Sequence, residues 1–273
     1  MSDQQFSVLM SVYKNDIPRY FKQALDSIIN QSVIPSEIIL VVDGPIPKEI
    51  NDVISNYKNG IIIPIFLEKN VGLGNALKIG MQHCNYEFIA RMDSDDISVS
   101  DRFEKQLQTF LNHPKLSIVG GMIDEFKSDS DKPVCKRVLP TEDIQIKKFL
   151  KYRCPFNHQT VMFKKQDVMN AGGYQDWYCG EDYYLWVRMY ESGCQFKNID
   201  QVLVHMRTGE GMYSRRGGKK YFQSQAKLFK YMRKKKIISY PRYMKNIIER
   251  YIGQVLMPVN IRTYLYQKIL RKK

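Results

Sequence analysis

Cysteine is scarce and unpatterned in this chain: five residues, Cys84, Cys135, Cys154, Cys179 and Cys194, with no C-x-x-C pair. An odd, scattered set argues against a disulfide or zinc framework and suits reduced thiols in a cytosolic protein. Long apolar runs are missing as well. No stretch approaches the roughly eighteen residues that a membrane-spanning helix needs. Residues 1–5 are polar and lead straight into an apolar strand, so no secretory leader is expected. Internal repeats and low-complexity segments are absent, and 273 residues suffice for one large domain plus a tail. Acids are outnumbered, 28 Asp and Glu against 42 Lys and Arg, a net charge of +14. Such an excess implies an anionic partner: nucleic acid, a phosphate-bearing substrate or an acidic membrane surface.

What is present alternates in type. The pattern predicts strands over residues 6–12, 37–42, 61–67 and 87–91, and helices over 17–30, 48–57 and 72–84. That order implies parallel βαβ units and a twisted sheet covered on both faces. Beyond a helix at 102–112 the order loosens. Strands are expected at 117–123, 134–138, 160–164, 196–199 and 202–206, and helices at 143–152 and 181–192. Basic helices follow from about residue 217. The composition shift near Arg207 is the one internal boundary.

The fourth strand ends in Asp93, Asp95 and Asp96, three carboxylates within four positions. The carboxyl end of a parallel strand is where open α/β sheets bind ligands. Crowded acids repel one another, and a divalent cation keeps them ionised; an all-oxygen set suits Mg²⁺ or Mn²⁺. A solvated turn that caps the next helix is the other reading, although Ser100 or Asp101 is the better cap for that helix. Strands one and two end near Tyr13 and Asp43, giving one crevice an aromatic face and a carboxylate fit for a pyrimidine base and ribose. The glycine loop at 70–78 is no dinucleotide fingerprint, because the third glycine would fall at Leu77. It can still approach a phosphate or sugar, with Lys78 adding charge. Further on, Glu181 and Asp182 open an apolar helix. They suit simple capping, or a pair in which one pKa is pushed up to make a general base. Arg188 is placed to hold Glu181 and leave Asp182 free.

The strings SVYKND, VVDGP, NVGLGNALKIG, RMDSDD and GEDYYLWVR, in this order and at these separations, resemble glycosyltransferase family 2 over residues 6–206. The resemblance implies an α/β GT-A fold: a Rossmann-like, mostly parallel twisted sheet flanked by helices, with a basic helical C-terminal tail. It divides the chain into a catalytic domain at 1–206, with a nucleotide-binding half at 1–97 and an acceptor-binding half at 98–206, and a basic extension at 207–273. It implies an inverting transfer of a hexose or N-acetylhexosamine from a UDP-sugar. Tyr13, Asp43, Lys78, Arg91 and Asp93 would bind the donor, Asp95 the metal, Mn²⁺ or Mg²⁺, and Asp182 would be the catalytic base. Glu181, His158, Trp177 and Arg188 fall to the acceptor side or to support of the base. Asp96 is an added acid without an assigned role, and His205 reads as a structural histidine rather than a ligand. The basic, glycine-rich segment 207–218 suits a lid whose Arg215 or Arg216 meets the diphosphate on closing.

The second half, with Asn157, His158, Gln159 and Thr160, resembles bacterial members that build O-antigen, capsule or exopolysaccharide. The acceptor would then be a lipid-linked saccharide, and the basic helices would seat the protein on the inner face of the cell membrane. Two other classes compete: a basic nucleic-acid-binding protein, which leaves both acidic clusters unexplained, and a catalytically inactive assembly scaffold.

Overall fold

A computed structural model describes residues 4–57, 60–209, 217–258 and 261. Its first half follows the sequence pattern closely. Strand β1 (Phe6–Val12), helix α1 (Pro18–Ile29), β2 (Glu37–Val42), α2 (Lys48–Ser55), β3 (Ile62–Phe66), α3 (Leu73–His83) and β4 (Phe88–Arg91) alternate as expected. β2 is apolar at five of six positions and wholly buried, as a central parallel strand must be. α1 starts with Pro18 in its first turn and buries Phe21, Ala24, Leu25 and Ile28 at helical spacing. α3 enters through Gly72 at φ +82°, a backbone angle that glycine adopts without a Cβ clash.

The second half is less regular: β5 (Ile97–Ser98), α4 (Arg102–Asn112), β6 (Leu116–Phe126), β7 (Cys135–Arg137), α5 (Asp143–Leu150), β8 (Met162–Lys164), α6 (Lys165–Asn170), α7 (Glu181–Glu191) and β9 (Gln195–Arg207). Helices α8 (Lys219–Lys234) and α9 (Tyr240–Tyr251) follow, and a π-helical turn (Ile252–Leu256) continues α9. Two expectations need correcting. The strands expected at 196–199 and 202–206 are one strand, β9, with an irregular register between Gly121 and Ile123 of its partner β6; the polar Asp200 and Gln201 interrupt the apolar pattern without ending the ladder. β5 and α6 were not foreseen, since two and six residues are too short to show a period.

The strands form one sheet in the order β3-β2-β1-β4-β8-β6-β9-β5, with β7 also paired to β6. β3, β2, β1 and β4 are mutually parallel, and β8 is antiparallel to β4. The order reverses between β1 and β4, which opens a crevice at their carboxyl ends. One face of the sheet packs under α1, α2 and α4 through Phe6, Val8, Phe21 and Phe103. The other packs under α3, α7 and α8 through Leu9, Ile39, Trp186 and Phe229. α9 is tied on by Asn246, whose amide donates to the Lys151 carbonyl at 2.9 Å. No helix among the described residues is long and apolar enough to cross a membrane.

Beneath the crevice Arg102 is wholly buried. Its guanidinium donates to the Arg91 carbonyl at 2.7 Å and to Gln106 Oε1 at 3.0 Å. Gln106 in turn bonds the carbonyls of Val119 and Thr160. This network fixes the point where β4 ends. Arg102→Met is expected to cost about 3 kcal/mol in urea unfolding, because it strands buried carbonyls; a loss below about 1 kcal/mol would deny Arg102 that role.

Candidate active site

The acidic loop after β4 is anchored from three sides. β5 pairs with the end of β9, matching Ile97 with His205. Two residues on, the Arg207 backbone N–H donates to Asp96 Oδ1 at 2.8 Å, and its Nε donates to the Asp95 carbonyl at 3.0 Å. The Arg207 guanidinium lies between the Tyr20 and Phe126 rings, 3.9 and 4.5 Å from their centroids. Asp96, whose role the sequence left open, is therefore a buried anchor. On the other side, Asp16 Oδ2 accepts from the Tyr13 N–H at 3.0 Å and from the Ser94 hydroxyl at 2.9 Å. Asp93 forms an ion pair with Arg91. Asp95 alone keeps an exposed side chain.

Four carboxylates thus share one edge, and their acidity reflects it. Burial pushes Asp16 up to about 6, against the bonds from Tyr13 and Ser94. Asp95 also rises to about 6, through desolvation and then the charges of Asp93 and Asp16. Asp96 lies well above the usual carboxylate range, from burial and then Asp93 and Asp95.

Asp43 sits at the end of β2 and binds the glycine loop. Its carboxylate accepts from the N–H groups of Val71 at 2.7 Å and Gly72 at 3.1 Å, and from the Asn70 amide at 3.0 Å. Three of its roughly four acceptor positions are therefore used within the chain. Tyr13 stands half-exposed beside it at the end of β1, and Lys78 is exposed on α3.

A cavity of about 450 Å³ joins the two acidic regions. Arg91, Asp93, His158, Glu181 and Asp182 all line it, whereas Asp95 is not on its wall. Gly180 opens α7 and donates its N–H to Glu181 Oε2 at 3.1 Å. Asp182 accepts from the Tyr183 N–H at 2.6 Å and from the Cys154 thiol at 3.4 Å. Burial, then the charge of Asp182, pushes Glu181 up to about 7. His158 Nε2 lies 2.8 Å from the Tyr174 hydroxyl, and burial drives its pKa well below the usual value, so the ring is neutral.

Several expected roles need revision. Arg188 does not hold Glu181. It donates to the carbonyls of Ala171 and Gly173 at 2.6 and 2.7 Å and stacks on Tyr184, bracing the turn after α6. Trp177 lies off the cavity wall, stacked on Tyr184 with Lys227 over its face. His205 Nδ1 lies 2.8 Å from Asp124 Oδ1 across the β6–β9 ladder. Arg215 and Arg216 lie outside the described residues. Sequence reasoning missed Asp16, Cys154 and Arg207. Asp16 stood in a quoted string, but nothing local marks the other two.

A divalent cation can be tested against these residues. No group of three or more metal-ligating side chains converges among the described residues. One or two carboxylates plus substrate phosphates are, however, the usual set for Mg²⁺. Asp95 is accessible, Asp93 lies next to it, and the crowded acids carry charge that a cation would relieve. Arg91 is buried, with Nε and Nη1 lacking any hydrogen-bond partner among the described residues. Arg91 also lines the cavity, where its positive charge favours an anion. The residues fit a metal–diphosphate group held by Asp95 and Asp93 beside Arg91.

The switch-point crevice thus carries acids on both sides of one cavity, a setting for group transfer. The profile of glycosyl transferase family 2 matches residues 7–172, and the chain belongs to that family. It is 40% identical to the UDP-Gal:alpha-D-GlcNAc-diphosphoundecaprenol beta-1,3-galactosyltransferase of Escherichia coli, covering 100% of this chain and 99% of the relative. It is 36% identical to the amylovoran biosynthesis glycosyltransferase AmsE of Erwinia amylovora, over 96% and 98% of the two chains. In structure it resembles S. aureus TarS (TM-score 0.68, 13% identity, 98% of this chain but 46% of TarS). It also resembles a Pyrobaculum calidifontis mannosyltransferase in complex with GDP-Man and Mn²⁺ (TM-score 0.63, 15% identity, 92% and 71% covered).

Glu181 gives a test with a definite sign. Its pKa rises from 4.5 to about 7 on folding. Stability contributed by the neutral form is therefore full below pH about 4.5 and is lost as the pH climbs through about 7. Glu181→Gln should stabilise the protein by up to roughly 2 kcal/mol at about pH 8 and by almost nothing near pH 4. Denaturant titrations at both values check this; equal effects at the two would refute the buried, strained carboxylate.

Proposed function

We propose that this glycosyltransferase moves a hexose or N-acetylhexosamine from a UDP-sugar to a hydroxyl of a saccharide carried on undecaprenyl diphosphate, in the assembly of a bacterial surface polysaccharide. The observation that carries the reading is one cavity walled by both Asp93 and the Glu181–Asp182 pair. The name of the E. coli relative supports the substrate classes, and that of the Erwinia relative supports a biosynthetic glycosyltransferase.

Residues 1–97 would bind the nucleotide, with Tyr13 against the base and the remaining acceptor position of Asp43 on an imide or hydroxyl donor. Residues 98–206 would receive the acceptor. Arg91 would offer its positive charge to the donor diphosphate, and its ion pair would hold Asp93 in place. A Mn²⁺ or Mg²⁺ ion held by Asp95 and Asp93 would supply charge stabilisation to the leaving diphosphate. Asp182, fixed by the Tyr183 N–H and the Cys154 thiol, would accept the proton of the attacking hydroxyl at Oδ2 or Oδ1. Attack from the face opposite the diphosphate is a single displacement and inverts the anomeric carbon. Neutral His158 lines the same cavity and cannot compete as a cation for the diphosphate.

Residues 207–273 would attach the enzyme to the anionic inner leaflet. Tyr240, Met244 and Ile248 of α9, with Ile252 just past its end, form an exposed apolar stripe flanked by Arg242 and by the Lys245–Glu249 ion pair. Such a face suits the headgroup boundary of a membrane.

Transfer is tested by following UDP release and product formation with a panel of UDP-sugars. Asp182→Asn should lower kcat by about 10²- to 10⁴-fold with UDP affinity preserved, and Asp95→Ala should remove the Mn²⁺ dependence of donor binding. Turnover near wild-type level in Asp182→Asn would sink the base assignment, and no binding of any nucleotide-sugar would sink the whole reading. For the membrane, Ile248→Glu should weaken sedimentation with anionic vesicles; co-sedimentation equal to wild type would reject the stripe as the contact.

A further inference from the structure

The cavity also has a basic wall. Arg137 of β7, Arg153 just after α5 and Arg250 of α9 line it, each half-buried. None comes from β1 to β4, whose carboxyl ends carry the groups proposed for the donor. Their backbone anchors converge on one short stretch. Arg137 Nη2 donates to the Cys154 carbonyl at 3.3 Å, Arg250 Nη2 donates to the Tyr152 carbonyl at 2.8 Å, and Arg153 lies between those two residues. The same stretch reaches the proposed base, because the Cys154 thiol donates to Asp182 Oδ2 at 3.4 Å. Their fields meet there too: Arg137 favours ionisation of the Cys154 thiol, and Arg250 and Arg153 favour ionisation of the Tyr183 phenol, although burial outweighs them at both.

Three guanidiniums are more charge than neutral sugar hydroxyls need. Their planar forks match the oxygens of a phosphate or diphosphate, which they bind in bidentate fashion. We infer that Arg137, Arg153 and Arg250 form the subsite for the diphosphate of the acceptor, holding it one sugar ring from the hydroxyl that Asp182 deprotonates. The inference rests on the lipid-linked acceptor proposed above and adds what recognises it. The arginines thereby become specificity determinants: a saccharide with the right hydroxyl but no diphosphate fills the cavity without making these charge-assisted bonds.

The test uses the full chain and two soluble probes, N-acetylglucosamine α-linked to a diphosphate with a short alkyl tail, and the same sugar as a phosphate-free alkyl glycoside. Calorimetric titration should show the diphosphate probe binding at least about tenfold tighter to the wild type, the scale expected when charge-assisted bonds are added. Arg137→Gln, Arg153→Gln and Arg250→Gln should each remove most of that advantage. The corresponding lysine variants should restore part of it, which separates lost charge from lost folding. Equal binding of the two probes by the wild type, or an advantage that survives all three glutamine substitutions, overturns the inference. So does a loss of UDP affinity in place of a loss of the probe's advantage, since that would give the arginines to the donor. Because binding is the readout, failure of the transfer reading, seen as no UDP released from any UDP-sugar, is a separate result.

Discussion

Like charges at one sheet edge are the constraint around which this molecule is arranged. Asp16, Asp93, Asp95 and Asp96 repel one another, and left to themselves they would pull the loop after β4 apart. Three arginines prevent this in different ways. Arg102 holds the carbonyl where the strand ends, Arg91 pairs with Asp93, and Arg207 reaches from β9 to secure the backbone of the loop. Three of the four acids are thus committed to partners within the protein. Asp95 is the one left facing outward, which is where a soluble ligand arrives.

The same economy governs the other side of the cavity. α7 begins with two acids, yet its N-terminus gives each a different setting. Glu181 is desolvated, with its carboxyl pushed up to about 7, whereas Asp182 is held by an N–H and a thiol. Helices α8 and α9 complete the enclosure, contributing Tyr221, Gln225 and Arg250 to its wall. The segment after β9 therefore takes part in the site as well as covering the apolar face of the sheet through Leu228 and Phe229.

Much of this was legible in the sequence where a period or a punctuating residue carries the signal. The spacing of α4 and the unbroken apolar run of β2 predicted both within their observed bounds. The abrupt change from apolar to acidic after Arg91 marked the site itself. What escaped was set by distance along the chain. Arg207 meets Asp96 across more than a hundred residues, and Cys154 meets Asp182 across 28; neither pairing leaves a local trace. Arg188 misled for the opposite reason. Its position on the same helix as Glu181 suggested a partner, but the side chain finds nearer carbonyls at Ala171 and Gly173. Trp177 likewise sits close in sequence to the acidic pair and faces a different surface.

The stretch from Tyr152 to Cys154 ties the basic wall to Asp182, taking the arginines on its carbonyls and reaching the carboxylate through the Cys154 thiol, so the interval between them is a built-in length. If the arginines grip the diphosphate, only the sugar directly attached to it can present a hydroxyl to the carboxylate. A glycan already two or three units long would carry its free end past the reactive position. The enzyme would then work as a ruler, restricted to an early step in the growth of the carried saccharide and unable to repeat itself on its own product.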